Sequence, residues 1–432
     1  MFLDTIKRFF KFPNMKLIFG ANFIEFADLY FFIHCAPMIA KIFVPEQYQH
    51  WMTTFSLWIA YGVPPIAAII FAKLGDDWGR RAMMILSTSM MLVLTIMLVI
   101  LPSYEQIGVW SLVGFCTIRV VQAVSIAGEG AGAWVYAYES THKFKDTAFT
   151  VPFISLGEML SGVVSLGSFL FLFKHFEFLG EETIIRIMFG CLALLFVIML
   201  HNRKRMEETK TFIMERQRYA PEKVSFTTLY RDLRNKKRNW ASLVAIMLIY
   251  PLGFTISYVF MGEYLKKNLG FSETDVIYHN MFVAIAELVL VFWTAVIVGS
   301  MEDKGLIRRK YSYLCISFVP LFCSIVSYFY LSHATPTALA IWFIQVLMVM
   351  PLNSAFIIGN FYRQFAVIGR FSGAASAWAT ARILGLIFGG FSIEYLHRSD
   401  MLEYFFVFTV FSVIQISGIL ISRDHMEEKD VE

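Results

Sequence analysis

Twelve long apolar stretches follow one another along this chain of 432 residues and leave no room for a soluble domain. A helix needs about 20 mostly apolar residues to cross a hydrocarbon core of about 30 Å, and only a helix or a closed barrel satisfies its backbone hydrogen bonds in lipid. The stretches lie near 17–43, 52–74, 82–102, 108–138, 147–173, 183–201, 239–265, 275–299, 311–333, 335–361, 371–396 and 401–422. We therefore predict an all-α membrane protein with twelve transmembrane helices.

The composition agrees with this class. Hydrophobic residues make up 57% of the chain and charged residues only 16%, whereas soluble domains are about 45–50% apolar and about 25% charged. This balance excludes an ordinary soluble protein.

One long polar segment, 202–238, separates six apolar stretches from six others. We predict an N-terminal six-helix bundle over 1–201, a cytoplasmic linker over 202–238, and a C-terminal six-helix bundle with a short cytoplasmic tail over 239–432. Two such halves with a site between them are typical of secondary transporters.

The placement of positive charge predicts the orientation in the membrane. Most of the 37 Lys and Arg residues lie in the termini, the linker and the loops on the same side. The opposite side holds only Lys41, Lys174, Arg186, Lys266, Lys267 and Arg398. Because cytoplasmic loops carry the excess of Lys and Arg, we predict that both termini are cytoplasmic. The same bias accounts for the basic patches, so no nucleic-acid partner is predicted.

A charged, glycine-containing turn at 72–81 joins the second and third stretches, and an imperfect copy begins at Gly299. The first turn contains Asp76, Gly79, Arg80 and Arg81. The copy contains Asp303 and Arg308. Corresponding turns in both halves indicate a duplicated membrane protein that moves.

Other segments have a recognisable order. They are Asn22–Asp28, Leu101–Gly108, Arg119–Gln122 followed by Gly128 and Glu129, Glu207–Thr209 followed by Phe212, and Arg370–Ser372. With the turn at 72–81, they resemble the metabolite:proton symporter branch of the major facilitator superfamily, which includes bacterial importers of proline and betaine, 2-oxoglutarate, citrate and shikimate. The resemblance implies two pseudo-symmetric six-helix bundles, proton-coupled import and a bacterial inner membrane.

Ionisable residues within the stretches are candidates for proton coupling, because an ionisable group at mid-bilayer is costly and usually functional. Arg119 and Glu129 share one stripe of the fourth helix, and Glu25 and Asp28 share a face of the first. A buried carboxylate binds a proton more readily than in water, whereas a nearby arginine favours its ionised form. We predict Glu25 or Asp28 as the proton carrier and Arg119 as its counter-charge. The alternative is a permanent structural salt bridge.

The solute site is predicted from the two arginines within the stretches. Arg119 lies beside Gln122, and Arg382 shares a helix face with Trp378. An arginine binds a carboxylate through two parallel hydrogen bonds, so the pattern favours a carboxylate solute, with Asn353 as a further polar contact. The alternatives for Arg382 are an ion pair with Glu287 or snorkelling to a helix end. Glu158 and Glu287 are read as gating or relay acids, or as locally hydrogen-bonded groups.

A gate is predicted at the first charged turn. We expect Asp76, Arg80 and Arg81 to pair with Glu139 at the cytoplasmic end of the fourth helix and to contact the other half. Such a latch would hold the inside-closed state that alternating access requires. Because its imperfect copy lacks the expected Gly and Arg, we expect the halves to be latched unequally.

The sequence therefore predicts a secondary active transporter that imports a small organic solute, favouring a carboxylate, together with protons. A zwitterion symporter, a proton-driven efflux antiporter and a non-transporting receptor-like member remain open. No catalytic arrangement, metal-ligand spacing or phosphate-binding glycine loop is recognised, so we predict neither an enzyme nor a metal or cofactor, only a proton gradient. The predicted partners are the solute, protons and lipid, with no obligate protein partner and a monomeric state.

Overall fold

Each of the twelve apolar stretches corresponds to helix in the computed structural model of this chain. The structure describes residues 9–12, 14–49, 51–140, 144–218, 236–303, 309–333, 337–349, 362, 365, 369–396 and 402–421. The principal helices are α1 Met15–His34, α2 Met52–Trp78, α3 Arg80–Ile100, α4 Val109–Ser140, α5 Phe144–His175, α6 Glu181–Lys204, α7 Lys237–Leu269, α8 Glu273–Asp303, α9 Arg309–His333, α10 Ala338–Val349, α11 Arg370–Leu396 and α12 Leu402–Ile421. The predicted tenth span continues beyond Val349, outside the described residues.

Many of these helices have the dimensions of membrane spans. Within the described ranges, eight are long and apolar enough to cross a bilayer, and two shorter apolar helices lie at Ala338–Leu347 and Phe405–Ile421. Apolar side chains cover much of the outside, with Trp110 73% and Phe322 68% exposed, while Arg80 and Arg119 are almost completely buried. This distribution is the reverse of that in a soluble protein, and it suits a protein surrounded by lipid.

The first predicted span is not one continuous helix. α1 ends at His34, and a second helix, Ala36–Phe43, begins after Cys35. Pro37 is the physical reason, because proline has no N–H to donate to Ile33 and its ring crowds that carbonyl. The break redirects the chain just beyond the part of α1 that carries the ionisable residues.

The charged segment at 72–81 is also more helical than predicted. α2 continues to Trp78, and α3 begins directly at Arg80. Gly79 alone separates them, with a φ of 102°, which a residue with a Cβ rarely adopts. The predicted turn is therefore present but reduced to Gly79, and the charged side chains lie on the two helix ends that this residue joins.

α7 is irregular at its centre. A π-helical segment, Thr255–Phe260, follows Pro251 and interrupts the regular hydrogen-bond pattern. Such segments are rare and occur frequently at functional sites. Here the irregular segment contains Tyr258 and begins five residues after Tyr250, and both tyrosines belong to the candidate site.

The two halves of the chain pack against each other through a few helices. Within the first half, α1 packs on α5, α3 on α6, and α4 on both α2 and α3; within the second, α12 packs on α7 and α9. Between the halves, α5 packs along α8 and α2 along α11. We call the end of the molecule at which the ends of α2, α4 and α6 meet the linker segment the linker end.

Candidate functional site

A buried acid–arginine pair joins α1 and α4. Arg119 Nη1 lies 3.0 Å from Asp28 Oδ2 and donates to Gln122 Oε1 at 2.9 Å. The guanidinium also stacks 4.0 Å above the ring of Phe32. Both members of the pair are 2% exposed. The structure thus brings together the acid and the arginine that helix periodicity places on facing stripes.

A cavity adjoins this pair. It has a volume of about 10 Å³ and lies between α1, α2 and α4, where Pro64 and Ala123 also line it. Within the described part of the chain, Asp28 Oδ1, Arg119 Nε and Arg119 Nη2 make no hydrogen bond. A volume of about 10–15 Å³ with several polar partners is what one water molecule needs. The arrangement can therefore place a proton donor or acceptor beside Asp28.

Glu25 has a different partner from the predicted one. Its Oε1 lies 3.7 Å from Arg203 Nη1, and both side chains are 1% exposed. The same nitrogen donates to the Met84 carbonyl at 2.8 Å and to the Thr88 hydroxyl. Glu25 therefore pairs with the end of α6 rather than with Arg119.

Arg203 was missed from the sequence because the predicted sixth span ends at 201. It begins a run of basic residues, Arg203–Arg205, that resembles an ordinary cytoplasmic flank. Its burial depends on α3 and α6 packing together, which no local pattern reveals. The one available signal is Glu25 itself, an acid within lipid that requires a partner.

The polar stripe of α4 faces the interior of the first half. Gln122 Nε2 donates to Thr95 Oγ1 at 3.1 Å, and Ser125 Oγ donates to the Ser87 carbonyl at 2.7 Å. These contacts are all with α3. The predicted grouping of Arg119 and Gln122 with Trp378 and Arg382 in one solute site stays a prediction.

The second cluster lies between the halves. Tyr250 of α7 donates to Glu158 Oε1 of α5 at 2.5 Å, and Tyr258 of α7 donates to Glu287 Oε2 of α8 at 2.9 Å. Arg382 lies on α11, which packs against the segment Ile249–Phe254 of α7 that carries Tyr250. All three charged side chains are 5% exposed or less. We call these five residues the interface cluster.

Arg382 stacks on its predicted neighbour. Its Cζ lies 3.8 Å from the centroid of the Trp378 ring, which holds the guanidinium plane on one face of α11. The two are four residues apart, one turn of helix, as the sequence predicts.

The charged segment at the linker end forms a buried network across the halves. Asp76 Oδ2 of α2 accepts hydrogen bonds from Ser372 N at 3.1 Å and Ser372 Oγ at 2.6 Å, both at the start of α11. Arg80 lies 3.3 Å from Asp76 and 3.0 Å from Glu139. Arg370 Nη1 lies 3.1 Å from the same Glu139 oxygen. We call this arrangement the latch.

The linker start completes the latch. Thr209 Oγ1 donates to Glu139 Oε2 at 2.8 Å, and Phe212 stacks against Arg80 at 4.5 Å. Arg81 does not pair with Glu139, contrary to the prediction. Its guanidinium donates to the Lys204 carbonyl at 2.7 Å, and its backbone N–H donates to Glu208. The segments 207–212 and 370–372, far apart in sequence, thus meet at one point.

Two glycines let α11 approach the first half closely. A Cβ at Gly75 would lie 3.3 Å from the Phe371 ring, and one at Gly132 would lie 3.1 Å from it. A side chain at either of these two positions would press against Phe371 and displace it. The small residues therefore seat the start of α11 beside the latch.

Four predicted residues have no described side chain. Asn353 and Arg308 lie outside the described residues, and the side chains of Glu129 and Asp303 do as well, although their backbones belong to α4 and α8. Their proposed roles remain predictions. Among the residues that are described, no group of three His, Cys, Asp or Glu side chains is placed to hold a metal ion.

Comparison with known proteins gives consistent matches. A family model described as Major Facilitator Superfamily matches residues 18–390. A citrate-proton symporter of Klebsiella pneumoniae is 27% identical over 302 residues, 66% of this chain and 63% of the relative. A proline/betaine transporter of Salmonella typhimurium is 24% identical over 66% of this chain and 58% of its own length. The chain thus spans less than two thirds of either relative.

Solved structures share the fold at low sequence identity. A proton:xylose symporter, XylE, superimposes with a TM-score of 0.70 at 12% identity, covering 97% of this chain and 95% of that one. FucP in its outward conformation superimposes with a TM-score of 0.69 at 10% identity, covering 95% and 99%. At such identities the likeness concerns the fold alone.

Proposed function

The chain belongs to the Major Facilitator Superfamily, and we propose that it imports a small organic solute together with protons by alternating access. The observation that supports this most is the Asp28–Arg119 pair, which is buried beside a cavity and has unsatisfied polar atoms. A static ion pair is stable when its hydrogen bonds are complete. An ion pair whose polar atoms lack hydrogen bonds, beside a cavity with room for water, is suited to gaining and losing a proton.

We assign the transferred proton to Asp28 rather than to Glu25. Asp28 lines the cavity, whereas Glu25 packs against Arg203 at the end of α6. Protonation of Asp28 would weaken its bond to Arg119, which also contacts Gln122 and Phe32. Movement of Arg119 would then shift α4 relative to α1, which is one route from protonation to a change of conformation.

The latch provides the gate in this proposal. It joins α2 and α4 to the start of α11 at the linker end, which we propose is the cytoplasmic side of a bacterial inner membrane. Bacterial relatives and the excess of Lys and Arg at this end support that placement. With the latch formed, the solute pathway is closed on that side. We further propose that one copy of the chain suffices.

The solute in this proposal carries a carboxylate, because Arg382 is buried on α11, which packs against the segment of α7 that carries Tyr250. The two relatives named above are a citrate-proton symporter and a proline/betaine transporter. Both kinds of solute contain a carboxylate, which a guanidinium recognises through paired hydrogen bonds.

Purified full-length protein in liposomes tests the function directly. Vesicles loaded with citrate, 2-oxoglutarate, proline or glycine betaine are diluted into the same labelled solute, and uptake is followed with and without an imposed pH gradient. Import predicts exchange of at least one solute, and accumulation when the inside is alkaline. Accumulation driven by the opposite gradient would indicate an antiporter, and absence of exchange for all four would indicate a non-transporting member.

Filling the cavity is a separate test of the proton site. Ala123→Val adds two methyl groups beside Asp28 without changing a charge, so proton-driven accumulation should fall about tenfold for a gradient of one pH unit, while solute exchange continues. Ala127→Val is the matched control, because Ala127 is equally buried on α4 but does not line the cavity. Either variant should lose about 1–3 kcal/mol of stability from overpacking. An equal loss of coupling in both variants would contradict a role for the cavity.

A further inference from the structure

Three phenylalanine rings surround the guanidinium of Arg119. Its Cζ lies 4.0 Å from the ring centroid of Phe32, 5.1 Å from that of Phe189 and 5.9 Å from that of Phe115. A ring face attracts a cation that lies within about 6 Å of its centroid, and the attraction is stronger where water is excluded. All three rings are 1% exposed or less. We call them the aromatic cage.

Helix periodicity and packing together build the cage. On α1, Phe32 lies four residues after Asp28. On α4, Phe115 lies four residues before Arg119. Residues four apart share a helix face, so each of these rings accompanies one member of the ion pair. Phe189 comes from α6, which packs against α1.

The rings stand where hydrogen-bond acceptors would otherwise be needed. Arg119 Nη1 donates to Asp28 and Gln122, whereas Nε and Nη2 make no hydrogen bond within the described part of the chain. The buried guanidinium is therefore stabilised chiefly by the Asp28 carboxylate and by the ring faces. Protonation of Asp28 would remove the first of these and leave the second.

Asp28 is the acid that faces the caged guanidinium. Among the nine residues that line the adjoining cavity, the titratable ones are Asp28 and Arg119. Charged and titratable side chains on the elements packed against α1 and α4 have contacts elsewhere: Glu25 with Arg203, Arg186 with Glu182, Lys41 with Glu181, Arg80 with Asp76 and Glu139, Arg370 with Glu139, Glu158 with Tyr250, His34 with Tyr30 and Tyr258, and Arg382 with Trp378.

We infer that the aromatic cage sets the pH at which Asp28 gains and loses its proton, by stabilising Arg119 while Asp28 is neutral. This inference rests on the proton role that the proposed function gives Asp28, and it adds the regulation of that site. With Asp28 ionised, its carboxylate, 3.0 Å from the guanidinium, offsets the positive charge that the rings attract. With Asp28 neutral, the rings face an uncompensated cation and attract it more strongly. The cage therefore favours the protonated state, and a weaker cage requires a lower pH to reach it.

Fluorinated phenylalanines in place of Phe32 test the electrostatic part of this role. They keep the shape of the ring, while each added fluorine withdraws electron density from the ring face. In the purified full-length protein, the infrared carbonyl band of protonated Asp28 is identified by its absence in Asp28→Asn and is followed against pH. We expect the pH of half-protonation to fall with each fluorine, by about one pH unit over the series, which is a tenfold change in proton concentration.

Phe32→Leu removes the ring face altogether and should lower the pH of half-protonation by about one unit or more. Phe32→Tyr keeps a ring face and should restore most of the wild-type value. Phe169→Leu is the matched control, because Phe169 is equally buried and its ring contacts Phe31 and Phe173. Melting temperatures of the variants measure the loss of packing, which the control shares.

The outcomes separate the cage from the function it rests on. A pH of half-protonation that stays constant or rises along the fluorine series overturns the inference, because the rings would then only fill space. An equal shift in Phe169→Leu overturns it as well. If no Asp28 band titrates while the wild type stays folded, both the cage and the proton role of Asp28 are wrong. The expected shifts in a protein that exchanges no solute would leave the cage standing and overturn the proposed function.

Discussion

Replacing Asp28 with Asn is expected to abolish proton-driven accumulation of the solute while its exchange across the membrane continues. Asparagine keeps the size of the side chain and a hydrogen bond to Arg119 but cannot take up or release a proton. If one proton moves with each solute, a gradient of one pH unit supplies about 1.4 kcal/mol, which accumulates the solute about tenfold. The variant should reach equal concentrations inside and outside. Uptake of labelled solute into vesicles with an alkaline interior measures the accumulation ratio of the wild type and of the variant.

Glu25→Gln is the matched comparison, because Glu25 lies three residues from Asp28 on α1 and is equally buried. It should retain accumulation, since its partner Arg203 lies at the end of α6 rather than beside the cavity. The reverse result, with coupling lost only in Glu25→Gln, would move the proton to Glu25. Normal accumulation in both variants would show that the acids form static ion pairs.

Replacing Glu139 with Gln is expected to open the linker end. Glu139 is fully buried and accepts from Arg80 at 3.0 Å, Arg370 at 3.1 Å and Thr209 at 2.8 Å. Removing one partner of a buried ion pair costs about 3–5 kcal/mol, because the remaining charge is left uncompensated. The equilibrium constant between the latched and the open state should therefore shift toward the open state by a factor of about 100 or more.

A cysteine placed behind the latch measures this opening. Ala374 of α11 is 1% exposed, so Ala374→Cys, in a chain whose five native cysteines are replaced by alanine, should label slowly while the latch holds. Adding Glu139→Gln should raise the labelling rate about 100-fold. Thr209→Val removes one hydrogen bond worth about 0.5–1.5 kcal/mol and should raise the rate about tenfold at most.

Asp76→Asn is a second probe of the latch. Asparagine at this position weakens the bond to Arg80, but its side-chain oxygen still accepts from Ser372. The increase in labelling rate should therefore fall between those of Thr209→Val and Glu139→Gln. Unchanged transport and unchanged labelling in both Asp76→Asn and Glu139→Gln would mean that these contacts do not gate the pathway.

Local patterns in the sequence were enough to predict the helices. The need for about 20 apolar residues per crossing is a constraint of the bilayer and acts on each span separately. The prediction of helix ends from this pattern failed at Cys35 and at Gly79, where one residue decides whether a helix stops. Pro37 ends the first span early through a missing N–H. Gly79 leaves the charged segment far more helical than its composition indicates.

Helix periodicity also predicted part of the candidate site. It placed Asp28 and Arg119 on facing stripes, and Trp378 on the same face as Arg382, because residues three or four apart share a helix face. Both contacts are present in the structure. Periodicity indicates a face but not the helix that the face meets, so it could not predict that Glu25 meets Arg203.

The sequence by itself determined that this chain is a twelve-helix membrane protein of the Major Facilitator Superfamily, with acids and arginines inside its spans. Hydropathy, charge bias and motif order are properties of single segments and need no knowledge of packing. Only the tertiary structure decided which acid neutralises which arginine. From the sequence alone, both Arg119 and Arg382 were predicted to bind a carboxylate solute. Packing of α1 against α4 commits Arg119 to Asp28, because a buried charge pairs with the nearest opposite charge.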